Sequence, residues 1–175
     1  ILKDFYNIKS GNGESKRFYT SEQIKVTDLD TMVLAMPSFD PVLRSKIKKF
    51  NTPAITGYYE KCIGAINKNT VRKYKVWKLT VQRLSEIKMD TIPESYDVFV
   101  IHQKSKNKLD KEKKFASDKI REMRKYLRGL DRNDLSSVDK VIIKPLWKHW
   151  NERFWEPFAN VNYAASITVH KSQGS

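Results

Sequence analysis

The chain has little cysteine and no long apolar run. Cys62 is the single cysteine among 175 residues, which excludes an internal disulfide and, with it, a small disulfide-stapled scaffold. The three histidines lie far apart in the sequence, so a zinc finger is excluded as well. No segment approaches the roughly 18 consecutive apolar residues of a membrane-spanning helix, and a transmembrane protein is therefore excluded.

The composition is nevertheless that of a folded, basic protein. Hydrophobic residues make up 39% of the chain, so disorder over the full length is not expected. The 34 Lys and Arg against 20 Asp and Glu give a formal charge of +14, which favours a polyanionic partner. Nucleic acid is the commonest such partner, and an anionic membrane surface is the alternative. Residues 102–128 carry eleven Lys or Arg against four Asp or Glu, a net +7, either as a solvated helix face or as a contact surface.

Alternating apolar residues predict three strands, over Phe18–Leu29, Tyr74–Leu84 and Tyr96–His102. In the second of these, Trp77, Leu79 and Val81 form the apolar face. Short strands joined by turns favour a small barrel or sandwich over a parallel sheet. Residues 30–70 are rich in proline and are interpreted as irregular, with a short helix beginning near Asp40.

The apolar period then becomes helical. Ile120, Met123, Leu127 and Leu130 recur at intervals of 3, 4 and 3, which predicts a basic amphipathic helix within Lys108–Leu130. Trp147, Trp150 and Phe154 recur at 3 and 4 and predict a second helix, ended by Pro157. An aromatic stripe at this spacing belongs to a core more often than to a base-stacking platform.

Several isolated residues are candidates for function. His102 follows a strand, and we expect it to hydrogen-bond a loop. We expect His149 at a surface or interface, and Cys62 as a buried apolar filler or a spectator. Asp28 and Asp30 form a close acidic pair, but no third carboxylate follows at metal-ligand spacing, so a nuclease site has little support.

The last thirteen residues carry the most chemical information. They read Tyr163-Ala164-Ala165-Ser166-Ile167-Thr168-Val169-His170-Lys171-Ser172-Gln173-Gly174-Ser175. Thr168 and His170 lie on one face of the predicted strand, opposite the apolar side chains. A hydroxyl, an imidazole and an ammonium beside a glycine turn form a donor array suited to phosphate. A buried strand with an exposed polar end accounts for the same pattern.

This run resembles motif V of superfamily-1 helicases, in the form Y-A-x-[AS]-x-T-x-H-K-x-Q-G-[ST] found in the RecD-like and Dda-like branch. The aromatic helix with Trp147, Trp150 and Phe154 is similar to the helix that precedes this motif in that branch. Val98–His102, followed by a basic stretch, resembles a family strand that ends in histidine. The resemblance covers about residues 15–30 and 71–175. Residues 30–70 have no counterpart and are interpreted as an insertion.

The resemblance implies part of an intracellular, ATP-dependent DNA helicase that moves 5′ to 3′ on single-stranded DNA in replication or repair. It implies an α+β fold made of three parts. These are a small SH3-like β-barrel over 15–105 with an insertion at about 30–70, basic and aromatic helices over 106–160, and re-entry into the second RecA-like motor domain over 161–175. The start without methionine and the stop directly after a strand pattern indicate a fragment of a longer chain.

The resemblance also implies residue roles. By analogy with motif V, Thr168 and His170 contact single-strand phosphates, and Lys171 and Ser172 belong to the same DNA-binding group. Gln173, Gly174 and Ser175 lie at the cleft between motor domains and couple nucleotide state to strand grip. ATP and Mg²⁺ are the implied cofactors. The chain has no G-x-x-x-x-G-K-[ST] loop and no acidic strand end for Mg²⁺, so we expect no catalytic or metal-ligating residue here and no ATP hydrolysis by this stretch alone.

The implied partners are single-stranded DNA, the rest of the helicase chain and replication or repair proteins, with no membrane. Two other functions stay open. One is a non-enzymatic basic module that grips single strands by charge and aromatic stacking. The other is an interaction domain of a replication complex, in which the basic surface meets an acidic protein.

Overall fold

Five strands and four helices form an α+β fold in the computed structural model, which describes residues 5–8, 18, 22–41, 53–89, 92–130 and 138–163. In chain order these elements are β1 (Phe5–Ile8), β2 (Glu22–Ala35), α1 (Pro53–Lys68), β3 (Lys73–Arg83), α2 (Leu84–Ile87), β4 (Ser95–Ile101), α3 (Gln103–Leu130), α4 (Lys144–Trp150) and β5 (Val161–Tyr163). Two π-helical turns, Asp139–Ile143 and Asn151–Trp155, flank α4. The expected α+β class is confirmed at this level.

The chain divides into two compact units. The sheet unit comprises Ile1–Leu34, Tyr74–Ser105 and Glu156–Ser175, and the helical unit comprises Ala35–Lys73 and Lys106–Trp155. Residues 35–70 therefore group with the long basic helix rather than with the strands. The interpretation of residues 30–70 as irregular is wrong, because β2 continues to Ala35 and α1 occupies sixteen of these residues. The short helix expected after Asp40 lies outside the described residues.

The sheet unit contains a five-stranded sheet with the strand order β4-β3-β2-β1-β5. β3 pairs with β4 in the register Val76↔Ile101 to Gln82↔Ser95. β1 pairs with β2 on one side and with β5 on the other, both antiparallel. The expectation that the strands do not form a parallel sheet is confirmed, and two of the expected strands match β3 and β4 to within a residue at each end.

One face of this sheet carries the hydrophobic core. Its buried members are Phe18, Ile24, Leu79, Val81, Val98 and Ala159. The predicted face of β3 is therefore confirmed at Leu79 and Val81, with Trp77 packed against the same cluster. Tyr74 and Val76 are buried as well, on the other side of the strand, and Tyr74 meets Phe158 edge-on with ring centroids 5.8 Å apart. β3 is therefore buried on one side at Tyr74 and Val76 and on the other at Leu79 and Val81.

A backbone hydrogen bond links the edge strand β4 to the chain that enters β5. The amide of Ala159 donates to the carbonyl oxygen of Phe99 over 2.6 Å. β5, which begins two residues later, pairs with β1 at the other end of the strand order. The two ends of the sheet are thus bridged through the segment that leads from Ala159 into β5.

The helical unit buries apolar stripes of α1 and α3. The stripe on α1 consists of Ile55, Tyr59, Cys62, Ile63 and Ile66, and that on α3 of Leu109, Ala116, Ile120, Met123 and Leu127. The predicted 120-123-127 stripe is confirmed. Helix α3 begins five residues before the predicted start, at Gln103. Phe154 is fully buried and the indole of Trp150 donates to the carbonyl of Lys113 over 3.1 Å, so the aromatic stripe belongs to this core, as expected.

Side chains rather than regular structure hold residues 36–40 in the helical unit. The amide of Asn67 forms two hydrogen bonds with the backbone of Phe39, as acceptor at 2.8 Å and as donor at 2.9 Å. The guanidinium of Arg153, itself 2% exposed, donates to the carbonyl of Pro37 over 2.7 Å and to that of Val71 over 3.0 Å. Three segments distant in sequence therefore meet at one arginine.

Candidate nucleic-acid interface

The residues predicted to bind DNA lie outside the part of the chain that the structure describes. They are Thr168, His170, Lys171 and Ser172, together with the nucleotide-coupling residues Gln173, Gly174 and Ser175. The structure does describe the strand that leads toward them, because β5 ends at Tyr163, where the motif begins. Tyr163 pairs with Tyr6 of β1. The structure thus leaves these roles as predictions and gives the attachment point of the segment.

A row of basic side chains runs along the exposed face of α3. Lys111, Lys114, Arg121 and Lys125 recur at intervals of 3, 7 and 4 and are all exposed. This spacing places them on one face of a helix, opposite the buried stripe. At 1.5 Å per residue, the row is about 21 Å long. We call these four residues the basic row.

The two halves of α3 differ in how their charges are paired. In the second half, Arg124 and Arg128 both contact the carboxylate of Asp139, at 3.2 and 2.7 Å. These guanidinium groups lower the pKa of Asp139. Lys119 and Arg121 form ion pairs with acidic residues one turn away, at 3.0 and 3.3 Å. The second half therefore resembles an ordinary solvated, paired helix face.

The first half of α3 has no such compensation. Its exposed lysines are Lys104, Lys106, Lys108, Lys111 and Lys114. None of these forms an ion pair with any residue that the structure describes. Lys113 lies half-buried over the ring of Trp155, at 4.6 Å from its centroid, and burial lowers its pKa. Positive charge that is unpaired within the described residues is therefore concentrated at one end of the helix.

A cleft of about 440 Å³ opens beside these lysines in the helical unit. Lys68, Asn69 and Thr70, at the end of α1, form one wall. Lys108 and Lys111 of α3 form the other, with Val71, Glu112 and Phe115 completing the lining. Three ammonium groups thus share one cleft, which we call the lysine cleft.

The polar groups at the end of α1 are satisfied by the helix itself. The side chain of Thr70 donates to the carbonyl of Ile66 over 2.7 Å, and that of Asn69 donates to the carbonyl of Ala65 over 2.9 Å. The carboxylate of Glu112 is buried and accepts the amide of Val71 over 2.9 Å. The lining carries three lysines against one carboxylate, which leaves the cleft positively charged.

In the sheet unit, Trp77 and His102 form a stacked pair with centroids 4.8 Å apart. The imidazole Nδ1 accepts the backbone amide of Lys104 over 3.1 Å, so the partner of His102 is the first turn of α3 rather than the expected loop. Desolvation and the nearby Lys75 and Lys104 lower the pKa of His102. Trp77 also packs on the sheet core. The pair is therefore a structural contact between strand and helix start.

The other candidates have structural surroundings. His149 is partly exposed: its ring packs on Phe39 at 4.7 Å, and its Nε2 is buried with no hydrogen-bond partner among the described residues. Burial lowers the pKa of His149. Cys62 is 5% exposed and free, as the filler role predicts. Asp28 and Asp30 are exposed and accept the backbone amides of the residues that follow them.

The described ranges contain neither a metal cluster nor a membrane-crossing helix. No group of three or more His, Cys, Asp or Glu side chains is arranged to hold a metal ion within 5–8, 18, 22–41, 53–89, 92–130 and 138–163. Across those same residues, no helix combines the length and apolar character needed to cross a membrane.

Comparison with known proteins gives a distant viral relative. An uncharacterized protein of Acanthamoeba polyphaga mimivirus is 23% identical over 172 residues, which cover 98% of this chain and 32% of that protein. The chain therefore spans about a third of the length of the curated relative it matches, and both units have counterparts there. No family model matches the chain, and no solved structure matches it.

The sequence reasoning missed one wall of the lysine cleft. Lys68, Asn69 and Thr70 fall in the stretch interpreted as irregular, so nothing in the sequence placed them near the basic helix. The sequence did contain a signal for α1. Its buried apolar residues recur at helical spacing, at Ile55, Tyr59, Cys62, Ile63 and Ile66. Pro53 and two glycines obscured that signal.

Proposed function

We propose that the chain is part of an ATP-dependent DNA helicase that moves 5′ to 3′ on single-stranded DNA, and that it supplies an accessory barrel and motif V. One observation carries the proposal, the run from Tyr163 to Ser175 and its likeness to motif V. In this role, Thr168, His170, Lys171 and Ser172 bind strand phosphates. Gln173, Gly174 and Ser175 couple the nucleotide state of the motor to the binding of the strand.

The sheet unit is compatible with the accessory barrel of this proposal. Its antiparallel strands enclose a core on one face, and the Ala159–Phe99 hydrogen bond bridges the two ends of the strand order. The chain then passes through β5 toward the motif. The RecA-like domain itself begins, in this proposal, at about residue 161.

ATP and Mg²⁺ are bound by other parts of the helicase in this proposal. The 175 residues contain no phosphate loop of the G-x-x-x-x-G-K-[ST] type, whose backbone amides and lysine would cradle the β- and γ-phosphates. When bound, ATP supplies the free energy that drives movement. The residues of this chain hold the strand.

The test is steady-state ATPase of the intact polypeptide that contains this chain, with and without single-stranded DNA. Replacing Lys171 with alanine removes one proposed phosphate contact. On single strands one contact contributes a salt slope of about 0.7, so at about 0.15 M salt the DNA concentration for half-maximal stimulation should rise about fourfold. Lys144→Ala is the matched control, because Lys144 is an exposed lysine of α4 outside the motif.

Three results would count against this assignment. Equal effects of Lys171→Ala and Lys144→Ala would remove Lys171 from the DNA-binding group, and unchanged stimulation in His170→Ala would do the same for His170. ATPase that is absent from the intact polypeptide would reject the motor. Binding of single strands that persists in that case would favour the second candidate, a passive basic module, which the unpaired lysines of α3 also support.

A further inference from the structure

The lysine cleft and the basic row lie in the helical unit, and none of their residues belongs to the run that resembles motif V. We propose that this surface binds the phosphate backbone of duplex nucleic acid, with Lys68, Lys108 and Lys111 as its central contacts. This inference does not rest on the helicase proposal, because backbone binding needs neither ATP nor the residues after Tyr163.

The convergence of charge supports a polyanionic ligand. Lys68 comes from the end of α1 and Lys108 and Lys111 come from α3, so two elements distant in sequence place three ammonium groups around one cleft. No described carboxylate forms an ion pair with any of the three. The one acid in the lining, Glu112, is engaged by the backbone of Val71. A phosphate group entering the cleft would therefore meet cations whose charge is not already neutralised.

The position of the lysines on α3 also points to an external anion. The first turn of α3 contains no acidic residue, although the helix dipole favours acids there and disfavours cations. Lys104 and Lys106 lie in this turn, and Lys108 and Lys111 follow in the next two. Lys104 and Lys106 therefore work against the helix dipole, and helix stability does not explain their position. Local conflicts of this kind are expected at functional surfaces.

The shortage of free aromatic rings favours a duplex over a single strand. Proteins that hold single strands stack bases on aromatic side chains. The two aromatic residues of α3 both have partners within the helical unit. Tyr126 stacks on Tyr58 at 3.9 Å, and the ammonium of Lys119 lies 5.6 Å from the ring centroid of Phe115. Beside the cleft, the exposed ring of Trp155 lies 4.6 Å from the ammonium of Lys113. The rings nearest the lysines are thus each in contact with a side chain of the helical unit, so charge dominates this surface, which fits a ligand whose bases are enclosed.

The basic row extends the cleft along the helix. Lys114, Arg121 and Lys125 continue from Lys111 over about 21 Å, which corresponds to about six base pairs at 3.4 Å each. Arg121 is paired with Asp118 at 3.3 Å, so the lysines are the main cations of the row. Contacts of this kind position a protein on nucleic acid without reading its sequence. We therefore expect binding that depends strongly on salt and little on base sequence.

The test compares two triple variants that remove the same charge from the intact polypeptide. The cleft variant is Lys68→Gln, Lys108→Gln and Lys111→Gln. The control variant is Lys61→Gln, Lys140→Gln and Lys144→Gln, three exposed lysines of the helical unit outside the cleft. Binding of a labelled duplex and of a single strand of equal length, about 20 nucleotides, is followed by fluorescence anisotropy without nucleotide, between about 0.05 and 0.2 M salt.

The expected result is specific to the cleft variant and to duplex. Each phosphate contact contributes about 0.9 to the salt slope on duplex DNA, so losing three should lower the slope by about 2.7 and the affinity at 0.15 M salt by about a hundredfold. The triple Lys→Arg variant should retain most of the affinity, since it keeps the charge. Circular dichroism of all variants checks that the fold is intact.

Two outcomes would overturn the inference. If the cleft and control variants lose duplex affinity equally, overall charge rather than the cleft binds DNA. If the cleft variant loses affinity for single strands but not for duplex, the surface has been assigned to the wrong ligand. Neither outcome depends on ATPase, so failure of this inference and failure of the helicase proposal are distinguishable.

Discussion

Replacing the buried Arg153 with methionine should destabilise the helical unit more than any exposed charge in it. Arg153 is 2% exposed, and its guanidinium donates to the carbonyls of Pro37 and Val71. Methionine keeps much of the side-chain volume but cannot donate. The substitution therefore leaves the carbonyl oxygens of Pro37 and Val71 without the donor that they have in the folded protein.

The magnitude follows from those two contacts. A hydrogen bond from a charged donor contributes about 1.5–3 kcal/mol, so the loss of both should cost about 3–6 kcal/mol. That is a large share of the roughly 5–15 kcal/mol by which small domains are stable. Arg72→Met is the matched control, because Arg72 is exposed and precedes β3 by one residue. We expect it to change the free energy of unfolding by less than about 0.5 kcal/mol.

The assay is urea unfolding followed by tryptophan fluorescence. Trp147, Trp150 and Trp155 all lie in the helical unit, so the signal reports mainly on that unit. With a urea dependence of about 2 kcal/mol per molar, Arg153→Met should lower the midpoint by about 1.5–3 M. A midpoint equal to that of Arg72→Met would refute the argument that these two hydrogen bonds tie the unit together.

Three further predictions follow from titrating or reactive groups in the helical unit. The folded state lowers the pKa of Asp139 through Arg128 and Arg124, so its contribution to stability is present above pH about 3.9 and lost as the pH falls. The thermal stability of Asp139→Asn should be lower than that of the parent at pH 7 and should match it near pH 2. Burial lowers the pKa of His149, so the free energy of unfolding should fall as the pH is lowered from about 6.5 toward the folded-state pKa. His149→Gln should flatten that part of the stability profile, and an unchanged slope would contradict a neutral buried imidazole. Burial raises the pKa of Cys62, so a thiol reagent should modify it slowly in the native protein and quickly in urea, and fast native labelling would show that the thiol is accessible.

Regular spacing of apolar residues explains why β3, β4 and α3 were predictable from the sequence. In α3, Ile120, Met123 and Leu127 face one core, so their period is read directly from the sequence. The early start of α3 was missed because its first turns are polar, with Leu109 as the first fully buried residue. The apolar period cannot mark turns that carry no apolar side chain.

Helix α1 was missed for a different reason. Pro53 resembles a helix breaker in the sequence, but it occupies the first position of the helix, where its fixed φ and missing amide hydrogen are tolerated. Gly57 and Gly64 are exposed, and a β-carbon added at either would meet no neighbouring residue within 4 Å, so they weaken the helix without ending it. The apolar stripe of α1, from Ile55 to Ile66, gains enough from burial to outweigh them.

The amino-acid composition does not show which basic residues of the candidate interface form ion pairs. The eleven basic residues of segment 102–128 look alike in sequence, yet Asp139, more than ten residues beyond Arg128, neutralises two of them. That contact depends on the packing of 138–143 against α3. After such pairs are set aside, the exposed charge that is left gathers at Lys108 and Lys111, where α1 adds Lys68. A duplex that binds the folded protein through these lysines stabilises it, so duplex binding should raise the melting temperature of the parent protein more than that of the cleft variant.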